Sequence, residues 1–553
     1  MSDFAAELSA AYATELPSID LGRGVHDGQL HPQVAIRLPL RMVNRHGLIA
    51  GATGTGKTKT LQGIIEQLSA AGVPTVVADV KGDVSGLHDA GGADGPAPTR
   101  MAELGLPYAP TGFPTEFFSI GGIGPGVPIR ATVSDVGPRL LAKILQSNET
   151  QEQCLQLVFH YADRKGLPLL DLSDLRALLT FLTSDDGKSE LDGIGGLSKQ
   201  TVGVLLRALV GVETGGGTEF FGEPQLDIAD LLRVAPDGRG TVNVLELPAV
   251  QDKPDLFSTV LMWLLAELFE TLPEVGDLDQ PKLVFFFDEA HLLFHGATPA
   301  FVDSVVQTVR LIRSKGVGVF FITQNPRDVP ADVLGQLGNR IQHALRVFTP
   351  EDETQLQKAV KTYPKSPFYD VSQLLTSVGT GEAAVTILTA KGTPTPVVHS
   401  RLLAPASSMA PTADVDGLAK GSALYAKYGT RQEHESAREL LAARVDAAGG
   451  AAATAGGGRA DDGAPGANAS HATPARQGRP TSGDFAGAGG EASGTATRAP
   501  AGGGTGRTAN QRHREAATAA GGGAEVIGTF LKSREGRALM RDVGRGIFGM
   551  LKK

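Results

Sequence analysis

The chain holds a single cysteine, Cys154, in 553 residues. An internal disulfide is therefore excluded, and so is a zinc site built from several thiolates. Long apolar stretches are missing as well. No run of 18 apolar residues occurs, so no integral membrane segment is expected. The first residues, MSDFAAELSA, carry acidic side chains and lack the apolar centre of a secretory signal. These gaps fit a cytoplasmic location and a reducing compartment. Positive charge is scarce: 51 Lys and Arg stand against 60 Asp and Glu, for a net charge of −9. A protein whose whole surface binds nucleic acid is usually basic. Any such contact here must be local, for example a basic lining inside a ring.

Glycine is in excess, with 71 residues, many of them after residue 446. That distribution predicts a globular body with a loose tail. Residues 448–523 are mostly Ala, Gly, Thr, Ser and Pro. They cannot bury enough apolar surface to offset the entropy of ordering, and a disordered linker is expected. Within 524–553, Val526, Phe530, Val543, Ile547 and Met550 or Leu551 fall near one helical face, with Lys532, Arg534, Arg537, Arg541 and Arg545 adding charge. The pattern predicts a basic amphipathic helix. It suits docking to a protein partner or subunit, the reading favoured here, but also a membrane surface or the chain's own core.

The body reads as alternating strands and helices. Gly47–Ala50 is a short apolar run entering a glycine loop, and Leu61, Ile64, Ile65 and Leu68 give Lys57–Ala70 helical spacing. Gly72 closes that helix, and Thr75–Ala78 with Asp79 forms the next strand. This βαβ unit implies a parallel sheet. Further strands are expected at Val242–Leu247, Leu283–Phe287, Val317–Ile322, Ile341–Val347, Ala383–Leu388 and Thr395–His399. The fold class is three-layer α/β with a mostly parallel sheet. Its expected parts are a small β-containing segment over 1–45 and a core over 46–84 and 241–405. A mostly helical insertion over 85–240 and a helical extension over 406–447 complete the body.

Gly51-Ala52-Thr53-Gly54-Thr55-Gly56-Lys57-Thr58 matches G-x-x-x-x-G-K-[ST] in full. The glycines let the backbone curl so that successive N–H groups face the β- and γ-phosphates, and the following helix adds its positive end. Lys57 neutralises phosphate oxygens and the Thr58 hydroxyl ligates Mg²⁺. ATP and Mg²⁺ are thus the expected ligands, and the three-layer fold reads as a P-loop NTPase of the RecA/ASCE type with its ATPase core over 46–84 and 241–405. The apolar strand Phe285-Phe286-Phe287 ends in Asp288-Glu289. Asp288 is placed to hold Mg²⁺ through water and Glu289 to act as general base. Gln324, at the tip of Val317–Ile322, is a candidate sensor of the γ-phosphate. Lys81 or Asp83, in Asp79-Val80-Lys81-Gly82-Asp83, is placed to orient nucleotide or couple it to movement. Ring ATPases often complete a site with a neighbour's arginine. Candidates are Arg310, Arg313, Arg340 and Arg346, with Arg313 or Arg340 preferred.

Together these motifs, with Arg313-Ser-Lys-Gly-Val-Gly-Val, Leu334-Gly-Gln-Leu-Gly-Asn-Arg-Ile-Gln-His-Ala-Leu-Arg-Val-Phe-Thr-Pro350 and Gly379-Thr-Gly-Glu-Ala-Ala-Val, resemble the HerA/FtsK superfamily of hexameric DNA-pumping ATPases. The chain looks most like the bacterial HerA-like helicase family, over roughly residues 20–405 plus the terminal basic helix. The resemblance implies a homo-oligomeric ring, a hexamer, with ATP between subunits and double-stranded DNA in the pore. It also implies a translocase or helicase-like activity, with Lys57, Thr58, Asp288, Glu289 and Gln324 in the roles given above. An ATP-dependent switch acting on protein partners is the alternative. The long Ala/Gly segment lies outside the resemblance, and no strongly basic segment marks a pore loop.

Overall fold

The computed structural model describes residues 3–191, 193–294 and 299–455. The basic helix expected over 524–553 lies outside the described residues, as does the expected disordered linker from residue 456 onward.

Parallel strands covered on both faces read as near-continuous apolar runs, and the five central strands carry polar side chains only at Thr75, Asp79, Asn243, Glu246 and Thr323. They are β3 (Gly47–Ala50), β4 (Thr75–Asp79), β7 (Val242–Glu246), β8 (Leu283–Phe287) and β9 (Val317–Thr323), every residue of which is buried. Phenylalanine rings lock the middle of the sheet. Phe285 and Phe287 stack with centroids 4.4 Å apart, and Phe287 meets Phe321 of the next strand at 5.2 Å.

Twelve strands form one sheet in the order β2-β1-β12-β11-β10-β3-β9-β8-β4-β7-β5-β6. From β10 (Asn339–Gln342) to β6 (Val127–Ile129), through β5 (Thr115–Ile120), all neighbours are parallel. The other edge is antiparallel, built from β11 (Glu382–Thr386), β12 (Val398–Leu402), β1 (Ser18–His26) and β2 (Gln29–Pro39). The carboxyl ends of the eight parallel strands therefore share one edge. In sheets of this kind that edge carries the ligand crevice. Strand β9 stands between β3, which leads into the glycine loop, and β8, which ends in the acidic pair.

Several elements differ from their sequence expectation. The segment 85–240 is mostly helical, with helices at Val133–Ile144, Glu149–Lys165, Leu172–Thr183 and Lys199–Val212. It also donates β5 and β6 to the sheet, because Phe117, Phe118 and Ile120 bury beside β7. Strand β10 stops at Gln342 rather than Val347. Beyond it Leu345 and Val347 leave the sheet to pack on a separate small core around Leu356, Tyr363, Leu374 and Leu375. β12 begins at Val398, not Thr395, whose carbonyl and hydroxyl bond Thr386 and Ile387 across a loop. The helical extension expected over 406–447 is built from three helices: Val415–Gly421, Ala423–Tyr428 and Ala437–Ala455. Asp414 and Ser422 cap the first two by accepting N–H bonds from Gly417 and Leu424, which restarts the chain at each point. The third runs past 447 into the stretch expected to be disordered, where alanine favours helix. Among the described residues, no helix is long and apolar enough to cross a membrane.

Candidate nucleotide site

β3 delivers the chain to the sheet's carboxyl edge, where it turns at once into the loop Gly51–Gly56 and the helix Lys57–Ala70. Gly51, Gly54 and Gly56 have φ of +149°, +79° and +109°, values that side chains resist. Gly56 also has no room to spare, since a β-carbon there would lie 3.2 Å from the Gly381 nitrogen. The loop is braced from outside. Ala52 N–H donates to the Ala344 carbonyl at 2.9 Å, and Gly381 N–H donates to the Thr55 carbonyl at 2.9 Å. Arg100 holds that second strap by donating to the carbonyls of Gly381 (3.1 Å) and Thr380 (3.2 Å). Inside the curl, the Lys57 ammonium donates to the Gly51 carbonyl at 2.7 Å. Burial lowers its pKa, and Glu289 opposes that shift.

The facing wall is acidic. β4 and β8 are neighbours, and their ends place Asp79, Asp83 and Asp288 so that an oxygen of each lies within 4.8 Å of the others. Thr58 reaches the same group, its hydroxyl donating to Asp83 Oδ2 at 3.2 Å. Asp288 is 4% exposed and its Oδ2 is buried without a hydrogen-bond partner. Burial, then the neighbouring Glu289 and Asp79 charges, pushes its carboxyl up to about 7. Asp79 is pushed up to about 6, first by burial. Crowded carboxylate oxygens with a free lone pair suit a hard cation such as Mg²⁺, whose charge would reverse these shifts.

Glu289 is buried, has φ +48°, and pairs with Lys81 and with His291 Nδ1 at 3.1 Å. Gln324 follows β9 directly, and its Oε1 lies 3.3 Å from the Thr53 hydroxyl. The structure thus brings Gly51–Thr58, Asp288, Glu289 and Gln324 to one place. It does not bring Arg313 or Arg340 there. Arg313 precedes β9 at the far end of the sheet, and seven strand residues separate it from Gln324, roughly 20 Å. Its guanidinium sits 3.9 Å from Asp277. Arg340 donates to the carbonyls of Leu334, Leu337 and Thr362. Arg346 does touch the loop, donating to the Thr53 carbonyl at 3.4 Å.

Sequence reasoning gave no role to three supporting residues. His343, wholly buried after β10, lies beneath the loop with Nε2 3.0 Å from the Thr60 hydroxyl. Arg100 and Gly381 come from distant segments. No local spacing marks any of the three.

A glycine loop between strand and helix, an acidic pair on β8 and a polar strand tip on β9 between them define a P-loop NTPase. The chain belongs to the HerA-like helicase C-terminal family, whose sequence model matches residues 26–492. No curated protein matches the chain significantly. Among solved structures, the unbound monoclinic form of the bacterial conjugative coupling protein TrwB is 15% identical, with 74% of this chain and 95% of that one covered at a TM-score of 0.47. TrwB in complex with ADP and Mg²⁺ is 14% identical over 72% and 91%, at 0.46. VirB4 of Thermoanaerobacter pseudethanolicus is 14% identical over 70% and 97%, also at 0.46. Likeness at this distance carries no further argument, and the fold rests on the strand order itself.

Proposed function

We propose that the chain binds Mg²⁺·ATP at Gly51–Thr58 and hydrolyses it, working as the motor of a homo-oligomeric ring on double-stranded DNA. The observation that carries hydrolysis is the convergence of loop, acidic wall and polar strand tip on one sheet edge. Backbone N–H groups of the loop and the Lys57 ammonium take the β- and γ-phosphate oxygens. Thr58 and Asp288 hold Mg²⁺, which supplies charge neutralisation on the phosphates. Glu289 accepts the proton of the water that attacks the γ-phosphorus, and Gln324 orients that water. The bond to the β-phosphate oxygen breaks, leaving ADP and phosphate.

Family membership supports the ring, with a hexamer as the expected count, and the DNA substrate. Arg313 or Arg340 serves as a finger on the neighbouring subunit's nucleotide, a role that requires no reach to its own loop. A second reading, an ATP-dependent switch working on protein partners, draws support from the net charge of −9. Hydrolysis measured with and without double-stranded DNA separates the two. Several-fold stimulation supports the DNA motor, and turnover indifferent to DNA favours the switch.

A further inference from the structure

The proposed general base is already engaged. Glu289 ends β8 with its carboxylate buried, and one oxygen is paired with the ammonium of Lys81. Lys81 stands on the loop after β4, the strand hydrogen-bonded to β8. That loop is rigid where Lys81 leaves it. Asp79 Oδ1 accepts the N–H of Lys81 at 3.1 Å and of Gly82 at 2.8 Å, and Asp79 Oδ2 accepts Val84 N–H at 2.8 Å. The stem is fixed while the side chain is 41% exposed, so the ammonium can change partner without moving backbone. Its second possible partner is near. Two residues beyond Lys81, Asp83 accepts the hydroxyl of Thr58 at 3.2 Å, so the loop that carries Lys81 adjoins the glycine loop where a γ-phosphate would sit.

We infer that Lys81 is a positioning residue that latches Glu289 and reads the γ-phosphate. Without a triphosphate its ammonium holds the Glu289 carboxylate away from water. A γ-phosphate at the loop carries more charge than one carboxylate and is the stronger partner. The ammonium moves to it, and the freed carboxylate takes the attacking water. ADP presents no γ-phosphate and leaves the latch closed. The inference rests on the reading of Glu289 as general base and adds a device that ties base release to nucleotide identity.

Two measurements on the full chain test it. Thermal melts of nucleotide-free wild type, Lys81→Met, Glu289→Gln and the double variant form a cycle, in which the two single effects should not add. Binding of ATPγS and of ADP, each with Mg²⁺, is then titrated for wild type, Lys81→Met and Lys81→Arg. Lys81→Met should weaken ATPγS by about tenfold, as for the loss of one charge-assisted hydrogen bond, and leave ADP nearly unchanged. Lys81→Arg should restore the preference for triphosphate. Lys81→Gln serves the same test if methionine unfolds the chain. Additive melts, or equal changes for both nucleotides, overturn the latch. A Lys57→Ala control keeps the two readings apart. Lys57-dependent binding with an unaltered preference removes only the latch, whereas binding indifferent to Lys57 removes the nucleotide site itself.

Discussion

A β-carbon on Gly51 would lie 2.5 Å from the β-carbon of His343. Backbone and side chain of His343 both serve the loop from below: its N–H donates to the Ala50 carbonyl at 2.7 Å and its ring meets Thr60. Burial, and then the Lys57 charge, holds the imidazole down to about 4, so it stays neutral where the protein works. Gly51→Ala should therefore cost about 1–3 kcal/mol through overpacking and an unfavourable φ. Denaturant unfolding reads the loss and nucleotide titration reads the accompanying fall in affinity. Wild-type values in both would mean that His343 gives way freely.

Glu289→Gln keeps the shape of the side chain and removes its basicity. Turnover should fall by about 10²–10⁴-fold, the usual contribution of a general base, while ATP stays bound. Single-turnover quench experiments measure both. A variant that turns over at the wild-type rate assigns proton removal elsewhere.

Glu246 ends β7 opposite Asp79 in the register of β4. Burial, and then the Asp79 charge, pushes its carboxyl up to about 8 from an ordinary 4.5. Between those values the folded chain holds a proton that the unfolded chain has released. Folded stability from this group is therefore greatest at low pH and declines as pH rises towards 8. Glu246→Gln removes the titration. Its stability relative to wild type should climb between about pH 5.5 and pH 8.5, as read by urea unfolding at each value. Parallel curves for the two proteins would show that Glu246 ionises normally.

The arginine question calls for mixing. Arg313→Ala and Lys57→Ala should each be inactive alone. If Arg313 acts on a neighbour's nucleotide, mixed rings contain interfaces with an intact loop from one variant and an intact arginine from the other, and activity returns in part. The same experiment with Arg340→Ala tests the other candidate. No recovery with either variant leaves the finger role without support, and Arg346, which touches Thr53, becomes the arginine to examine within the subunit.

Where structure is set by neighbours in sequence, it was legible. The glycine loop, the helix Lys57–Ala70 and the strand Leu283–Phe287 follow from local pattern, and the structure has both elements at those bounds. Where distant contacts decide, pattern misled. Ile341–Val347 alternates and bulks like a strand, yet Leu345 and Val347 serve a second core that exists only because the helices Pro350–Val360 and Val371–Ser377 fold beside it. The strap from Gly381 to Thr55 joins residues 326 apart in sequence, and the Arg100 bonds that hold it span 280 and 281. Lys81 was legible as a charged strand end, but its pairing with Glu289 depends on β4 and β8 lying side by side. That order belongs to the sheet and not to any stretch of sequence.

Steady-state ATP hydrolysis by the purified chain, beside Lys57→Ala, tests the central claim most directly. The account predicts Mg²⁺-dependent phosphate release that Lys57→Ala abolishes. Absence of hydrolysis in the wild type under all nucleotide and DNA conditions, or hydrolysis that survives Lys57→Ala, would contradict it.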